Sequence, residues 1–213
     1  MRPPDNWRAA RATLAISAAT LVAWLLAVGA GAEDYAAIWG GFIPLRLSAE
    51  LTGAVLAPVA LTPLTATLVH SGLAHLFLNL LIFLFCGRAV ETLLGMRGIV
   101  ILYLVGAYAA AAAHYLANPL EATPMVGASG AISAVVGAYA MMFGRNRVKV
   151  ANPTVALWLN ALWLAAAWIG LQLMVGITFT TAGSRIAVMA HIGGFLAGLL
   201  LAKPLLLLRY RGA

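Results

Sequence analysis

Six long apolar runs dominate this sequence and restrict what it can fold into. A membrane-spanning helix needs about 20 consecutive, mostly apolar residues, and 63% of the 213 residues are hydrophobic while only 9% are charged. The runs predict six spanning helices, at about 12–30, 66–87, 99–117, 126–143, 154–176 and 186–203. Because most connections between them are short, we expect an all-α, polytopic membrane protein in which residues 1–213 form one domain.

The basic residues are distributed unequally between the two sides of the predicted bundle. If the N-terminus is cytoplasmic, the cytoplasmic segments hold eleven Arg and Lys residues, and the outer segments hold only Arg46 and Arg185. This asymmetry follows the positive-inside rule and predicts that both termini are cytoplasmic, including a basic tail at 1–11. The net charge of +7 therefore reflects membrane topology, and no nucleic-acid partner is expected.

The longest connection, residues 31–65, follows the first predicted span on the outer side. It contains Trp39, Phe42 and Ile43, and these apolar side chains favour a position partly within the membrane interface. The end of the first span resembles a signal-peptidase site. Cleavage there would leave five spans and an outer N-terminus, so we expect residues 1–32 to be retained.

Several spans contain polar side chains, which are costly in a membrane and usually face the bundle interior. His75 and Asn79 are four residues apart and share one helix face, whereas His70 and His75 do not. Taken alone, this pair could simply hydrogen-bond to neighbouring helices. We expect Glu91 to pair with a basic neighbour at the cytoplasmic surface, and His114 to be an interfacial histidine without a special role.

The fourth predicted span opens with the sequence Gly127-Ala128-Ser129-Gly130. The two glycines leave the backbone bare on both sides of a single hydroxyl. In the first turn of a helix the backbone N–H groups lack intrahelical partners and the helix dipole is positive. A negative oxygen that develops beside Ser129 would therefore be stabilised.

The sixth predicted span carries His191, followed by Gly194 and Gly198. The spacing of the two glycines is the small-xxx-small pattern that lets two helices approach closely. The fourth span offers a similar ridge of small residues that begins at Gly130. We therefore expect the fourth and sixth spans to be in contact, with His191 beside Ser129.

The remaining polar residues narrow the possible chemistry. The sequence has no HExxH motif and no histidine pair on one helix face, so no metal site is expected. No acidic residue lies inside a predicted span, which argues against an aspartyl pair or a Ser–His–Asp triad. A dyad remains, in which His191 removes the Ser129 proton and later protonates the leaving amine. The Ser129 N–H, His75 and Asn79 are candidate oxyanion donors.

These motifs resemble the three signatures of the rhomboid intramembrane serine proteases, and the resemblance covers about residues 66–200. The motifs are His70-xxxx-His75-xxx-Asn79, Gly127-Ala-Ser129-Gly130 and Ala190-His191-xx-Gly194-xxx-Gly198, supported by Gly87-xxx-Glu91-xxx-Gly95. The resemblance implies a six-helix rhomboid bundle in which Ser129 is the nucleophile and His191 the base. It assigns His75 and Asn79 to the oxyanion hole and implies that Gly127 shapes the site. The implied substrates are transmembrane segments of other proteins, and no cofactor is implied.

Two positions differ from the pattern of many family members. A tyrosine often follows the nucleophile by one helical turn, and this chain has Ser133 there. Another group must then orient His191. Many members also have an adjacent Trp-Arg pair in the first outer loop, whereas Trp39 and Arg46 are separated here.

Two other functions use the same residues. A non-catalytic rhomboid-like protein would bind or chaperone membrane proteins, but intact Ser129 and His191 argue against it. A small transporter would need polar residues along a complete path, whereas the inner half of this bundle is apolar. We expect the protein in a bacterial inner membrane, with its site open to the outer side and in contact with the lipid bilayer. The sequence leaves the oligomeric state open.

Overall fold

The computed structural model describes residues 7–48, 56–144, 152–181 and 187–211, and most of these residues are helical. Short 3₁₀ turns begin at residues 7, 44, 59 and 66, and the isolated bridge between Phe42 and Met125 is the extent of β pairing in the described part of the chain. The α-helices there are α1 Arg11–Gly29, α2 Glu33–Gly40, α3 Thr62–Thr65, α4 Leu73–Ala117, α5 Ser129–Phe143, α6 Pro153–Thr181 and α7 Val188–Arg209.

The predicted all-α membrane fold is confirmed, with some changes in helix boundaries. Helices α1, α4 and α7 are each long and apolar enough to cross a membrane. Shorter apolar helical stretches occupy Val59–Leu68, Ser129–Phe143 and Trp158–Gly170. The second predicted span begins later than expected, at Leu73, and the fourth begins at Ser129 itself. Six membrane crossings and a single domain over 1–213 stay predictions.

The range α4 Leu73–Ala117 consists of two helical limbs that correspond to the second and third predicted spans, separated by a non-helical residue, Gly95. Gly95 has a φ of +72°, in the left-handed region that favours glycine. The guanidinium of Arg209, at the end of α7, lies against the kink, because a Cβ on Gly95 would be 2.7 Å from its Nη1. The backbone conformation therefore favours glycine at this turn between the two limbs, whereas the flexible Arg209 side chain could move aside for a Cβ.

Small residues let α4, α5 and α7 pack together in the centre of the bundle. A side chain on Gly198 of α7 would overlap the Ala134 carbonyl of α5, and one on Gly137 would overlap the Phe195 carbonyl. These backbones are in direct contact, as the small-xxx-small spacing predicts. The buried side chains around them are mainly alanine, valine, leucine and isoleucine.

Glu91 joins the first helix to the centre of the bundle. Its side chain is 1% exposed, and its carboxylate accepts hydrogen bonds from the Ala12 and Thr13 N–H groups, both at 2.8 Å, and from the Thr13 hydroxyl at 2.7 Å. The prediction that Glu91 pairs with a basic neighbour is therefore wrong. The carboxylate caps the N-terminus of α1 instead, where the N–H groups lack intrahelical partners and the dipole favours negative charge.

Part of the charge pattern that predicts the membrane topology falls outside the described residues. This applies to Arg2, Arg145, Arg147, Lys149 and Arg185. The cytoplasmic position of the termini therefore stays a prediction.

Replacing Glu91 by Gln should lower the free energy of unfolding by about 1–3 kcal/mol, the usual cost of losing a charged acceptor and leaving buried donors unsatisfied. Unfolding by a denaturing detergent, followed by circular dichroism, would measure the change. Glu33→Gln is the matched control, since Glu33 is exposed at the start of α2. Equal stability of the Glu91 variant and the wild type would show that this cap does not hold α1 in place.

Candidate active site

Ser129 and His191 are joined by a hydrogen bond between two helices. Ser129 is the first residue of α5, and His191 is the fourth residue of α7. The Ser129 Oγ and the His191 Nε2 are 2.8 Å apart. A hydroxyl at this distance from an imidazole nitrogen can lose its proton to that nitrogen as it attacks a carbonyl carbon.

The close approach of these two side chains depends on glycine at two positions in the helix contact. A Cβ on Gly194 would overlap the Gly130 carbonyl. A Cβ on Gly130 would be 2.5 Å from the Ala110 Cβ of α4 and 3.9 Å from the Ala190 Cβ. Three helices therefore meet around the residues that flank Ser129 and His191.

Gly127 makes room for His75 immediately before α5. Its φ is +109°, and a Cβ there would be 2.6 Å from the His75 Cε1 and 2.7 Å from the Nε2. The other ring nitrogen, Nδ1, is 3.1 Å from the Ser71 hydroxyl. The His75 ring is thus held with its Nε2 edge against the backbone that leads to Ser129.

Asn79 lies one turn after His75 on the same face of α4. It is 5% exposed, and its Nδ2 donates to the His75 carbonyl at 2.9 Å. Among the described residues, this is the hydrogen bond of the Asn79 side chain, and it does not reach Ser129. In this conformation the Asn79 amide therefore bonds to the backbone of His75 instead of to Ser129.

Ser133, which takes the place of the usual tyrosine, bonds within its own helix. Its Oγ donates to the Ser129 carbonyl at 2.7 Å.

Trp168 connects α6 to α7. It donates from Nε1 to the His191 carbonyl at 3.3 Å and stacks on Phe195 with ring centroids 4.9 Å apart. Trp168 thus holds the backbone at His191. The sequence carries no signal that distinguishes this tryptophan from its neighbours on α6.

His70 and His114 lie close to the site, and the sequence interpretation gave neither a role. His70 is 3% exposed, and its Nε2 accepts a long hydrogen bond of 3.5 Å from the Ala128 N–H. Its ring centroid is 5.0 Å from that of His75. His114 is 7% exposed and directly follows Ala113, which packs against Gly193 of α7. The interpretation of His114 as an interfacial side chain did not anticipate this burial within the bundle.

The outer connection is attached to the segment that leads into Ser129. Phe42 and Met125 exchange backbone hydrogen bonds of 3.0 and 2.8 Å, and the Leu45 N–H donates to the Glu121 carbonyl at 3.1 Å. Phe42 and Ile43 are buried, while Trp39 is exposed. Part of the predicted interfacial loop therefore packs against protein. The backbone pairing of Phe42 with Met125 fixes the segment that leads into α5.

The histidines near Ser129 do not form a metal site in the part of the chain that the structure describes. There, no group of three or more His, Cys, Asp or Glu side chains is arranged to hold a metal ion. What the geometry assembles is a hydroxyl, an imidazole base and nearby hydrogen-bond donors.

Residues 59–208 match the family model described as Rhomboid domain. The chain is 30% identical over 142 residues to "Rhomboid protease GluP" of Bacillus subtilis, which covers 67% of this chain and 25% of that protein. It is 30% identical over 149 residues to "RHOMBOID-like protein 4" of Arabidopsis thaliana, with coverage of 70% and 35%. It is 31% identical over 137 residues to "RHOMBOID-like protein 1" of the same plant, with coverage of 64% and 32%. The chain thus spans only 25% to 35% of the length of these relatives.

Gly194→Ala should separate α5 from α7, because the added methyl group overlaps the Gly130 carbonyl. Overpacking of this kind costs about 1–3 kcal/mol, and we expect a matching loss of unfolding free energy together with weaker reaction of Ser129 towards an electrophilic probe. Gly170→Ala is the matched control, since nothing lies within 4 Å of a Cβ there. If both variants matched the wild type, the helix contact would not set the Ser129–His191 distance.

Proposed function

Because this chain belongs to the rhomboid family, we propose that it is an intramembrane serine endopeptidase that cleaves transmembrane segments of other membrane proteins. The observation that carries the proposal is the 2.8 Å hydrogen bond between the Ser129 Oγ and the His191 Nε2. A structural serine inside a membrane helix often bonds to a backbone carbonyl one turn earlier. Ser129 is the first residue of its helix and bonds to an imidazole on another helix instead.

In the proposed acylation step, the Ser129 Oγ attacks the scissile carbonyl carbon while His191 takes the hydroxyl proton at Nε2. The tetrahedral intermediate collapses when the imidazolium gives that proton to the leaving amine, and the C–N bond breaks. An acyl-enzyme ester on Ser129 remains. A water molecule then attacks the ester with His191 as base, which releases the carboxylic acid and restores the hydroxyl.

The oxyanion would be stabilised by groups at the start of α5. Ser129 occupies the first turn, where N–H groups lack intrahelical partners and the dipole is positive. We assign further donation to His75, whose Nε2 edge lies against Gly127. We assign Asn79 to the same hole. Its hydrogen bond to the His75 carbonyl supports a second contribution, in which Asn79 helps to hold His75 in place.

The family and the apolar helices make this an integral membrane protein. We propose that both termini are cytoplasmic, that residues 1–213 act as one domain, and that the site opens to the outer side of a bacterial inner membrane. The charge asymmetry of the sequence supports this orientation. A non-catalytic binder of membrane proteins is the second candidate, and the hydrogen-bonded dyad favours the protease over it.

A fluorophosphonate probe should label the wild-type protein in detergent and should fail to label Ser129→Ala and His191→Ala. The first variant removes the nucleophile, and the second removes the base that activates it. Labelling is read by intact-protein mass spectrometry. Ser17→Ala is the matched control, because Ser17 is buried in α1 and its hydroxyl has no hydrogen-bond partner among the described residues.

The same variants should then be tested for cleavage of a model transmembrane substrate. Residual cleavage by Ser129→Ala would contradict the assignment of the nucleophile. A folded wild type that neither reacts with the probe nor cleaves any substrate would favour the non-catalytic binder.

His75→Ala and Asn79→Ala should each lower kcat by about a hundredfold with little change in KM, as expected when one oxyanion donor is lost. Steady-state cleavage in detergent measures both parameters. If Asn79 acts mainly by holding His75, the double variant should be no slower than His75→Ala alone. Wild-type rates in both single variants would place the oxyanion hole elsewhere.

A further inference from the structure

Ser71 is an exposed serine that lies just before α4, on the residue that precedes its N-cap, Gly72. Serines at the start of a helix commonly bond to the free backbone N–H groups of its first turn. Among the described residues, the hydrogen bond of the Ser71 hydroxyl is instead to the His75 Nδ1, at 3.1 Å. The hydroxyl therefore acts on the ring of a candidate oxyanion donor and not on the end of the helix.

The position of the hydrogen on the His75 ring decides whether this ring can stabilise an oxyanion. A neutral imidazole carries one hydrogen, on either Nδ1 or Nε2. Only the tautomer with the hydrogen on Nε2 can donate from the edge that lies against Gly127. In the other tautomer, Nε2 presents a lone pair, which would repel a developing negative charge. Which nitrogen holds the hydrogen is set by the hydrogen bond that the other nitrogen makes.

The backbone N–H groups nearest to the His75 Nε2 edge already have acceptors. The Gly127 N–H donates to the Ala66 carbonyl at 2.9 Å. The Ala128 N–H donates to the His70 Nε2 at 3.5 Å. Because both donors are engaged elsewhere, neither is available to a lone pair on the His75 Nε2. The surroundings of the ring therefore favour a hydrogen on Nε2 and an acceptor at Nδ1, which is the nitrogen that the serine hydroxyl reaches.

Packing alone does not select the orientation of the His75 ring. A half-turn about the bond between Cβ and the ring exchanges each nitrogen with a carbon of nearly the same size. The contacts with Gly127 and with the His70 ring, whose centroid is 5.0 Å away, depend on shape and accept either orientation. The hydrogen bond with Ser71 distinguishes the two, since only one orientation places Nδ1 beside the hydroxyl.

We propose that Ser71 is a positioning residue that prepares His75 to stabilise the oxyanion. Its hydroxyl donates to the His75 Nδ1, which fixes the ring orientation and keeps the ring hydrogen on Nε2, where it faces the site. Ser71 acts only through His75. The inference rests on the proposed protease function and adds to it a residue outside the dyad and the oxyanion hole. Because Ser71 is exposed, a water molecule can partly replace a lost hydroxyl, so its removal has a moderate effect.

Steady-state cleavage of a model transmembrane substrate in detergent tests the effect on the reaction. Ser71→Ala should lower kcat by about fivefold with little change in KM, as expected when one neutral hydrogen bond that supports the transition state is lost. Ser71→Thr keeps the hydroxyl and should retain roughly half or more of the wild-type kcat. Ser48→Ala is the matched control, because Ser48 is also exposed and its hydroxyl donates to the Leu45 carbonyl. Unchanged kcat in Ser71→Ala would overturn the proposal.

A double variant tests whether Ser71 acts through His75. In the His75→Ala background, Ser71→Ala should cause no further loss of kcat, because the ring that the hydroxyl positions is absent. The same fractional loss in both backgrounds would show that Ser71 acts independently of His75 and would overturn the proposal.

NMR of the protein with isotopically labelled histidine rings reads the tautomer directly, at an alkaline pH where the rings are neutral. The His75 signals are those that disappear in His75→Ala. We expect the hydrogen on Nε2 in the wild type and in Ser71→Thr, and a mixture of both tautomers in Ser71→Ala. A wild-type ring with its hydrogen on Nδ1 would contradict the assigned role of Ser71. This measurement needs no substrate, so a wild type that fails to cleave would count against the proposed protease alone, and the tautomer would still decide whether Ser71 controls His75.

Discussion

The direct backbone contact between α5 and α7 is the constraint on which the rest of the bundle depends. At Gly194 and Gly198 the surface of α7 has no side chain, and the carbonyls of Gly130 and Ala134 on α5 occupy the space that a Cβ would need. In a membrane, helices gain little from burying apolar side chains against each other, so such close packing is a main source of association. The same contact sets the separation of Ser129 and His191, because each lies within a few residues of a contact glycine.

Two further polar contacts of the bundle connect elements that are distant in sequence. Glu91 of α4 caps the start of α1, and Trp168 of α6 bonds to the carbonyl of His191 on α7. Without water as a competing partner, each unsatisfied backbone group within a bilayer would cost several kcal/mol. These hydrogen bonds therefore stabilise the bundle and fix the positions of the helices that they connect. They place α1 and α6 around the contact of α4, α5 and α7.

The site was more predictable from sequence than the contacts that support it. Helical periodicity places His75 and Asn79 on one face, and glycine spacing brings His191 towards Ser129, because both follow from local geometry. The hydrogen-bond partners of Glu91 and the burial of His114 could not be predicted from local sequence, since each depends on the packing of a segment that is distant in the chain. The break at Gly95 separates two helical limbs that correspond to the second and third predicted spans.

The sequence by itself determined an all-α membrane protein, the residues that carry the candidate chemistry, and the helix pair on which they lie. Hydropathy, periodicity and small-residue spacing encode these features locally, within one helix or one turn. Only the tertiary structure decided that the Ser129 Oγ and the His191 Nε2 are 2.8 Å apart, and that Trp168 and His70 support the site. Those facts depend on contacts between residues that are 23 to 62 positions apart, from the pair Trp168 and His191 to the pair Ser129 and His191. No local pattern specifies such a distance, because it results from the packing of all the helices at once.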